Sequence, residues 1–280
     1  MTEFRKRSSV SVCTIVSGRE KHLARVLQGL ARSTLLPDEV IVVYMGDAPD
    51  TILGNNDLPF PLRVFTVDLV NGDLPLAAAR NCAAKEARND FLVYLDVDCI
   101  PSVDLIENHR RALGSSDQLW MGTVRYLQEK IHGAEINDLI LYSLSEYNKL
   151  QPRLEEGERL PSEDYTLFWS LNFSVTSRTF DKIGGFDEQF IGYGGEDTDF
   201  SLAAKEANVK FGHVGALAFH QYHNSESPPL SHLKSIVRNS NYYRYKRGVF
   251  PMEKWLEAFA NLQLIEIRDD HIFLTAENKF

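Results

Sequence analysis

Two aspartates separated by one residue close the stretch FLVYLDVDCIP at residues 91–101, where an apolar run ends in Asp96, Val97 and Asp98 ahead of a proline. Carboxylates at the end of a buried strand suit a hard divalent cation, which takes oxygen ligands and commonly brings a diphosphate with it. The spacing alone is weak, because an acidic chain contains other such pairs by chance, EDTDF at 196–200 among them. A solvated turn is the bland alternative for an isolated pair, and position at the end of an apolar strand is what argues against it. A third carboxylate, Asp47, closes the apolar stretch DEVIVVYMGD at 38–47. Downstream, FHQYH places His220 and His223 just after the apolar VGALAF. Two histidines so spaced favour metal ligation by neutral imidazole over simple packing, with His223 ahead of His220. In GYGGEDTDF, Gly192, Gly194 and Gly195 surround Tyr193, which opens backbone conformations closed to other residues and lets a ligand approach closely. Glu196 and Asp197 then begin a helix. Capping and the helix dipole also favour acids there, but capping needs one acid and no glycine cluster.

These groups need a frame. SVSVCTIVS (9–17), DEVIVVYMGD (38–47), LRVFTVDL (62–69) and FLVYLDVD (91–98) read as apolar, β-branched strands. EKHLARVLQGLARS (20–33), with Leu23, Val26, Leu27 and Leu30 on one face, and the alanine-rich LAAARNCAAKEA (76–87) read as helices between them. Strand and helix in alternation, with strands apolar throughout, predict an α/β fold of the Rossmann-like kind: a mostly parallel sheet covered on both faces. Ligands of such sheets sit at the carboxyl ends of the strands, which is where Asp47, Asp96 and Asp98 fall.

The chain has 280 residues, 44% of them hydrophobic, enough for one large domain with an appendage. Its formal charge of −9 argues against a nucleic-acid partner and for small molecules or cations. Cys13, Cys82 and Cys99 lie far apart in no CxxC spacing, so neither a disulfide framework nor a zinc knuckle is expected and a reducing cytoplasm fits. No apolar run reaches the length of a membrane span.

The segments ARNCAAKEARNDFLVYLDVD, LNFSVTSRTFDKIGGFDE and GYGGEDTDF resemble nucleotide-sugar glycosyltransferases of the A-type fold, close to family 2 and to the galactosyltransferase-like C-terminal module. The resemblance covers roughly residues 9–224. It implies that Asp197 is the catalytic base, that Glu196 binds acceptor hydroxyls, and that the histidine region adds a ligand to a Mn2+ or Mg2+ ion held by Asp96 and Asp98. It further implies that Asp47 contacts the base of the nucleotide, that Arg80 and Asn81 lie near that nucleotide, and that the segment holding Asn172 leads into the acceptor site with Tyr193, Gly194 and Gly195. Two departures stand out. The first strand ends in TIVSGRE, so that Val16, Ser17 and Arg19, expected with Val97 to line the donor site, stand where many family 2 members carry proline-threonine-tyrosine-asparagine. Tyr193 stands where the related module usually has tryptophan; either ring can stack on a sugar. Trp169 is a second sugar platform or, equally, a core aromatic beside Phe168 and Phe173.

The reaction this implies is sugar transfer from a nucleotide-diphosphate donor, with a UDP-sugar expected, to the hydroxyl of a carbohydrate or other acceptor, with inversion. A nucleotidyltransferase is a rival, but it would want a glycine-rich basic loop where VSGRE offers one glycine and one arginine. A noncatalytic nucleotide-sugar-binding module would have no need of Asp197. The expected catalytic domain is 1–224, its donor half about 1–100 and its acceptor half about 101–224, followed by a helical extension, 225–280. There, Trp255, Leu256 and Phe259 are expected to pack on the catalytic domain. In the stretch 238–247, Arg238, Arg244, Lys246 and Arg247 interleave with tyrosines, offering contact to phosphates or a membrane surface, or else a solvated face.

Overall fold

The computed structural model describes residues 9–50, 57–131, 136–223 and 226–275. Its main sheet contains β1 (Val10–Val16), β2 (Glu39–Met45), β3 (Leu62–Val67), β4 (Phe91–Leu95), β5 (Cys99–Pro101), β6 (Leu119–Leu127), β7 (Ser145–Tyr147), β8 (Arg159–Ser162), β9 (Asn172–Thr176) and β10 (Phe211–His220). The order is β3-β2-β1-β4-β9-β6-β10-β5, with β7 beside β6 and β8 beside β10. β1 runs parallel to β2 and β4, β2 to β3, and β6 to β10, while β9 is antiparallel to both of its neighbours. The helices are α1 (Glu20–Ala31), α2 (Leu76–Glu86), α3 (Leu105–Ser115), α4 (Asp138–Ser143), α5 (Ser177–Ile183), α6 (Glu196–Glu206), α7 (Leu233–Arg247) and α8 (Glu253–Asn261).

Periodicity explains the layers. Leu23, Val26, Leu27 and Leu30 of α1 are fully buried and join α3 on one face of the sheet, over Val12, Val42 and Val93. The small side chains of Ala77, Ala79 and Ala83 let α2 lie close on the other face, with α5 and α6 beside it over Ile15, Val43 and Phe173. β1 and β2 are buried at every position, which is why their sequences show apolar runs and no alternation.

The extension departs from expectation. After α8 the chain forms a hairpin, β11 (Ile265–Arg268) and β12 (His271–Leu274), where the extension was expected to be helical. Asp269 and Asp270 both take positive φ, the geometry a two-residue hairpin turn requires. Neither is glycine, so the turn carried no signal. Leu256 and Phe259 do not lie on the catalytic sheet; they close a separate small core with Ile236, Val237, Ile265 and Ile272. The boundary expected at 224/225 lies outside the described residues.

One expected acceptor contact belongs to the frame. Asn172 is fully buried. Its Nδ2 donates to the carbonyls of Thr123 (3.2 Å) and Ala216 (2.8 Å), the latter within the β10 irregularity between Val214 and Ala218. With both amide hydrogens so placed, its Oδ1 must accept from His109 Nε2 at 2.8 Å, and His109 Nδ1 then accepts from Ser174 Oγ. Burial pushes His109 down to about 4, which keeps it neutral. A Cβ on Gly122 would stand 2.3 Å from Asn172 Nδ2, so glycine is needed there. Asn172 thus ties β9, β6, β10 and α3 together. Asn172→Ala, which orphans two carbonyls and an imidazole, is expected to lower the unfolding free energy by about 3 kcal/mol in urea titrations. A loss below about 1 kcal/mol would contradict this structural role.

Candidate active site

β1 and β4 are neighbours, and the chain builds outward from them in opposite directions, so a crevice opens beyond their carboxyl ends. β1 delivers Ser17, Gly18 and Arg19 there, and β4 delivers Asp96, Val97 and Asp98. The turn after β4 is tight: the Asp96 N–H donates to the Leu171 carbonyl, Asp96 Oδ1 accepts from the Val97 N–H, and the Cys99 N–H donates back to the Asp96 carbonyl, each at 2.8 Å. Cys99 then starts β5, which pairs antiparallel with β10 so that His220 lies opposite Cys99. Strand register therefore brings the histidines to Asp98.

Asp98 is almost fully buried, and its Oδ2 contacts the Arg19 guanidinium. His223 Nε2 lies 3.7 Å from Asp98 Oδ2, and His22 Nε2 lies 3.9 Å from Oδ1. Ligand atoms of Asp98, His220 and His223 all fall within 4.8 Å of one another. Asp98 Oδ1 is buried and makes no hydrogen bond. His220 is pushed down to about 4 by burial and then by the His223 and Arg19 charges, so its imidazole is neutral, as a metal ligand must be. One carboxylate oxygen and two imidazole nitrogens fit a divalent transition-metal ion such as Mn2+ better than Mg2+, which prefers an all-oxygen shell.

The second wall is the loop before α6. Gly192, Gly194 and Gly195 take φ of 74°, 100° and 93°, the left-handed region that glycine enters freely. Glu196, Asp197 and Asp199 occupy the first turn of α6, where the helix dipole favours negative charge. Glu196 is buried and pairs with buried Arg80 of α2 at 3.1 Å. Arg80 is itself fixed: its guanidinium lies 5.1 Å over the Phe186 ring, and its carbonyl accepts from Tyr94 Oη at 2.9 Å. Asp197 Oδ1 accepts from the Thr198 N–H at 2.7 Å. Burial, and next the Glu196 charge, push Asp197 up to about 7 against the pull of Arg80. Burial also raises Asp96, although Arg80 opposes the shift. The Tyr193 phenol is pushed up to about 12 by burial and by the charges of Asp197, Glu196 and Asp96, so it faces the same carboxylates. A carboxyl poised near neutrality can take a proton from an incoming hydroxyl.

Several expected roles change. Arg80 is committed to Glu196 and works inside the wall, and Glu196, buried against it, presents little surface to an acceptor. Asn81 grips a neighbouring loop: its amide donates to the Phe186 carbonyl and to Glu188 and accepts from the Phe186 N–H, all at 2.8 Å. Val16 and Val97 are core side chains, while Asp47 is exposed just past β2 at the same rim. Trp169 is partly buried against the Phe168 and Phe173 cluster. The basic residues of 238–247 are paired with carboxylates and offer no free cationic face: Arg238 with Asp73, Arg244 with Asp270, Lys246 with Asp187 and Asp199, and Arg247 with Asp199 and Glu206. Asp199, part of the second DxD-like spacing, is thus an anchor for α7.

Sequence reasoning missed Gln221 and His22. Gln221 is buried; its N–H donates to the Asp98 carbonyl at 2.6 Å, and its amide bonds the His22 and Val97 carbonyls and Arg25. A polar residue between two candidate ligands, in HQYH, was the available signal.

Comparison with known proteins gives two family matches, glycosyl transferase family 2 over residues 11–169 and the N-terminal domain of galactosyltransferase over residues 158–226. The validoxylamine A glucosyltransferase of Streptomyces hygroscopicus subsp. limoneus is 26% identical over 216 residues, 68% of this chain and 46% of that protein. The hyaluronan synthase of Pasteurella multocida is 27% identical over 213 residues, 68% of this chain and 22% of that protein. The chain therefore spans less than half the length of these two relatives. Among solved structures, GalNAc-T7 with UDP, GalNAc and Mn2+ superposes with a TM-score of 0.57 at 15% identity, covering 92% of this chain and 57% of that one. S. aureus TarS 1-349 with UDP-GlcNAc superposes with a TM-score of 0.55 at 14% identity, covering 90% of this chain and 80% of that one. These likenesses show the A-type glycosyltransferase fold. Among the described residues, no helix is long and apolar enough to cross a membrane.

The raised Asp197 has a consequence for stability. The folded chain holds this proton more tightly than the unfolded chain, so its stabilising contribution is complete below the unfolded value and is lost as pH rises through about 7. Asp197→Asn keeps an acceptor for the Thr198 N–H and removes the charge. In chelator, its Tm advantage over the wild type is expected to grow from about pH 5 to pH 7 and then level off. A pH-independent difference would contradict a raised Asp197.

Proposed function

The chain belongs to glycosyl transferase family 2, and from that premise we propose that it transfers a sugar from a nucleoside-diphosphate donor to an acceptor hydroxyl. The observation that carries this reading is the Asp98–His220–His223 cluster together with an Asp197 carboxyl poised near pH 7, the two linked through Asp96, which feels both the Arg19 charge and the Glu196 charge. The likeness to structures holding UDP with Mn2+ and UDP-GlcNAc supports a UDP-sugar as the donor class.

Asp98, His220 and His223 would hold a divalent cation, which when bound neutralises the diphosphate and offsets charge developing on the leaving group. Arg19, half exposed at the same point, supplies planar N–H donors suited to phosphate oxygens. Asp96 lies beside Asp98 toward the ribose, and Asp47 lies farther along the rim for the base. Tyr193, 40% exposed with its ring stacked on His232, turns the rest of its surface to the acceptor. Asp197 accepts the acceptor's proton as the hydroxyl attacks the anomeric carbon from the face opposite the diphosphate, so the configuration inverts. Arg80 offsets part of the charge that Glu196 places beside that base. Residues 1–224 carry the groups assigned to donor and acceptor, and 225–280 are the extension.

The test is UDP release from a panel of UDP-sugars by the purified chain, with Mn2+, with Mg2+ and with chelator. Release from at least one donor with Mn2+, lost in chelator, is expected. Asp197→Asn should bind UDP with Mn2+ within about 3-fold of the wild type, yet turn over at least about 100-fold more slowly, the lower end of a general base's usual contribution. Transfer by Asp197→Asn at more than about a tenth of the wild-type rate would remove Asp197 as base.

A further inference from the structure

Three glycines precede Glu196 and Asp197, and a glycine-rich backbone does not hold its own position. What holds it is α7. Asn239 is fully buried, and its Nδ2 donates to the carbonyls of both Tyr193 (3.3 Å) and Gly194 (3.0 Å). Arg238 donates to the Ile191 carbonyl from one side of its guanidinium and to Asp73 at 2.9 Å from the other. The Gly192 N–H donates to the Leu74 carbonyl at 2.9 Å, which ties the loop to the turn before α2.

Shape adds to these bonds. A Cβ on Gly192 would stand 2.6 Å from Ser235 Cβ, and one on Gly194 would stand 2.7 Å from Met252 Sδ, so the glycines are needed for contact with the extension as well as for φ. The Tyr193 ring stacks on His232 at 4.7 Å, with Trp255 at 5.8 Å. On the far side of Glu196 and Asp197, Lys246 and Arg247 hold Asp199 at 2.8 Å and 2.7 Å. The backbone carrying the base is therefore fastened to α7 both before and after it.

We infer that the C-terminal extension is a working part of the transfer site, with Asn239 as the positioning residue that sets where Glu196 and Asp197 stand. This rests on the proposed transfer reaction for its consequence, and on loop geometry alone for its physical content. Misplacement of a catalytic group by about 1 Å costs on the order of 100-fold in rate. A loosened loop should therefore reduce turnover far more than donor binding, which depends on Asp98 and the histidines across the cleft.

The experiment compares wild type, Asn239→Ala and Arg238→Gln as full chains. Hydrogen exchange of the 190–199 backbone is read alongside exchange in β1 and β4, affinity for UDP with Mn2+, and UDP release from the donor panel. Asn239→Ala is expected to speed exchange in 190–199 at least about 10-fold while β1, β4 and UDP affinity stay within about 2-fold, and to cut turnover at least about 10-fold. Arg238→Gln, at an exposed position that tolerates change, should do the same to a lesser degree and keeps the test decisive if Asn239→Ala does not fold. Unchanged loop exchange in the folded variants, or a loosened loop with turnover intact, overturns the inference. A wild type that releases no UDP counts against the transfer reaction, and the exchange result still decides whether α7 holds the loop.

Discussion

Four carboxylates, Asp96, Asp98, Glu196 and Asp197, share one cleft with two compensating guanidinium groups, Arg19 and Arg80, and the rest of the structure is arranged around that crowding. Unpaired negative charges cannot simply be buried together. The buried Arg80–Glu196 pair removes one of them from the cleft, at the risk that losing either partner strands a buried charge, a change that typically costs about 3–5 kcal/mol. Arg19 covers part of a second. What remains is an Asp98 with an unbonded oxygen grouped with His220 and His223, and an Asp197 that holds its proton to near neutrality. Each is a distinct chemical resource.

Sheet order explains how distant residues reach this cleft. β1 and β4 supply Arg19 and Asp98 by ending side by side, and the antiparallel pairing of β5 with β10 turns the chain so that His220 arrives beside Asp98 from 122 positions later in the sequence. α2 supplies Arg80 from beneath, and α6 presents its acidic first turn from the other side. Gln221 fastens β10, the turn after β4 and α1 in one bonded set. α7 then fixes the loop from outside. Small shifts in any of these elements converge on the same few atoms.

Where function leaves residue types that few other roles demand, the sequence was legible. The apolar strands and the one-faced α1 were readable because full burial and helical spacing leave composition no freedom. Asp96, Asp98, Glu196, Asp197, His220 and His223 stood out because an acidic pair behind a glycine cluster, and carboxylates or imidazoles closing apolar strands, ask for more than capping or packing to explain them. Asn172, Asn81 and Arg80 were legible as important and illegible in role: a buried amide bonding backbone carbonyls and an amide touching a ligand have the same sequence appearance. The basic stretch of α7 misled because its carboxylate partners lie up to 165 positions away, at separations no local pattern records. The turn at Asp269 and Asp270 lacks the glycine that usually announces it.

The most direct measurement of the central claim is paramagnetic broadening of histidine ring resonances as Mn2+ is added with UDP. His220 and His223 flank Asp98, whereas His213 lies seven residues earlier on the same strand, on the order of 20 Å away at the usual strand rise. His109 is sealed in the core against Asn172. Broadening of His220 and His223, together with His22 whose Nε2 lies 3.9 Å from Asp98, ahead of His213 and His109 at stoichiometric Mn2+, abolished in Asp98→Ala with the spectrum otherwise preserved, is the expected result. Broadening that spares both histidines, or that persists unchanged in Asp98→Ala, would contradict a cation site built from Asp98, His220 and His223.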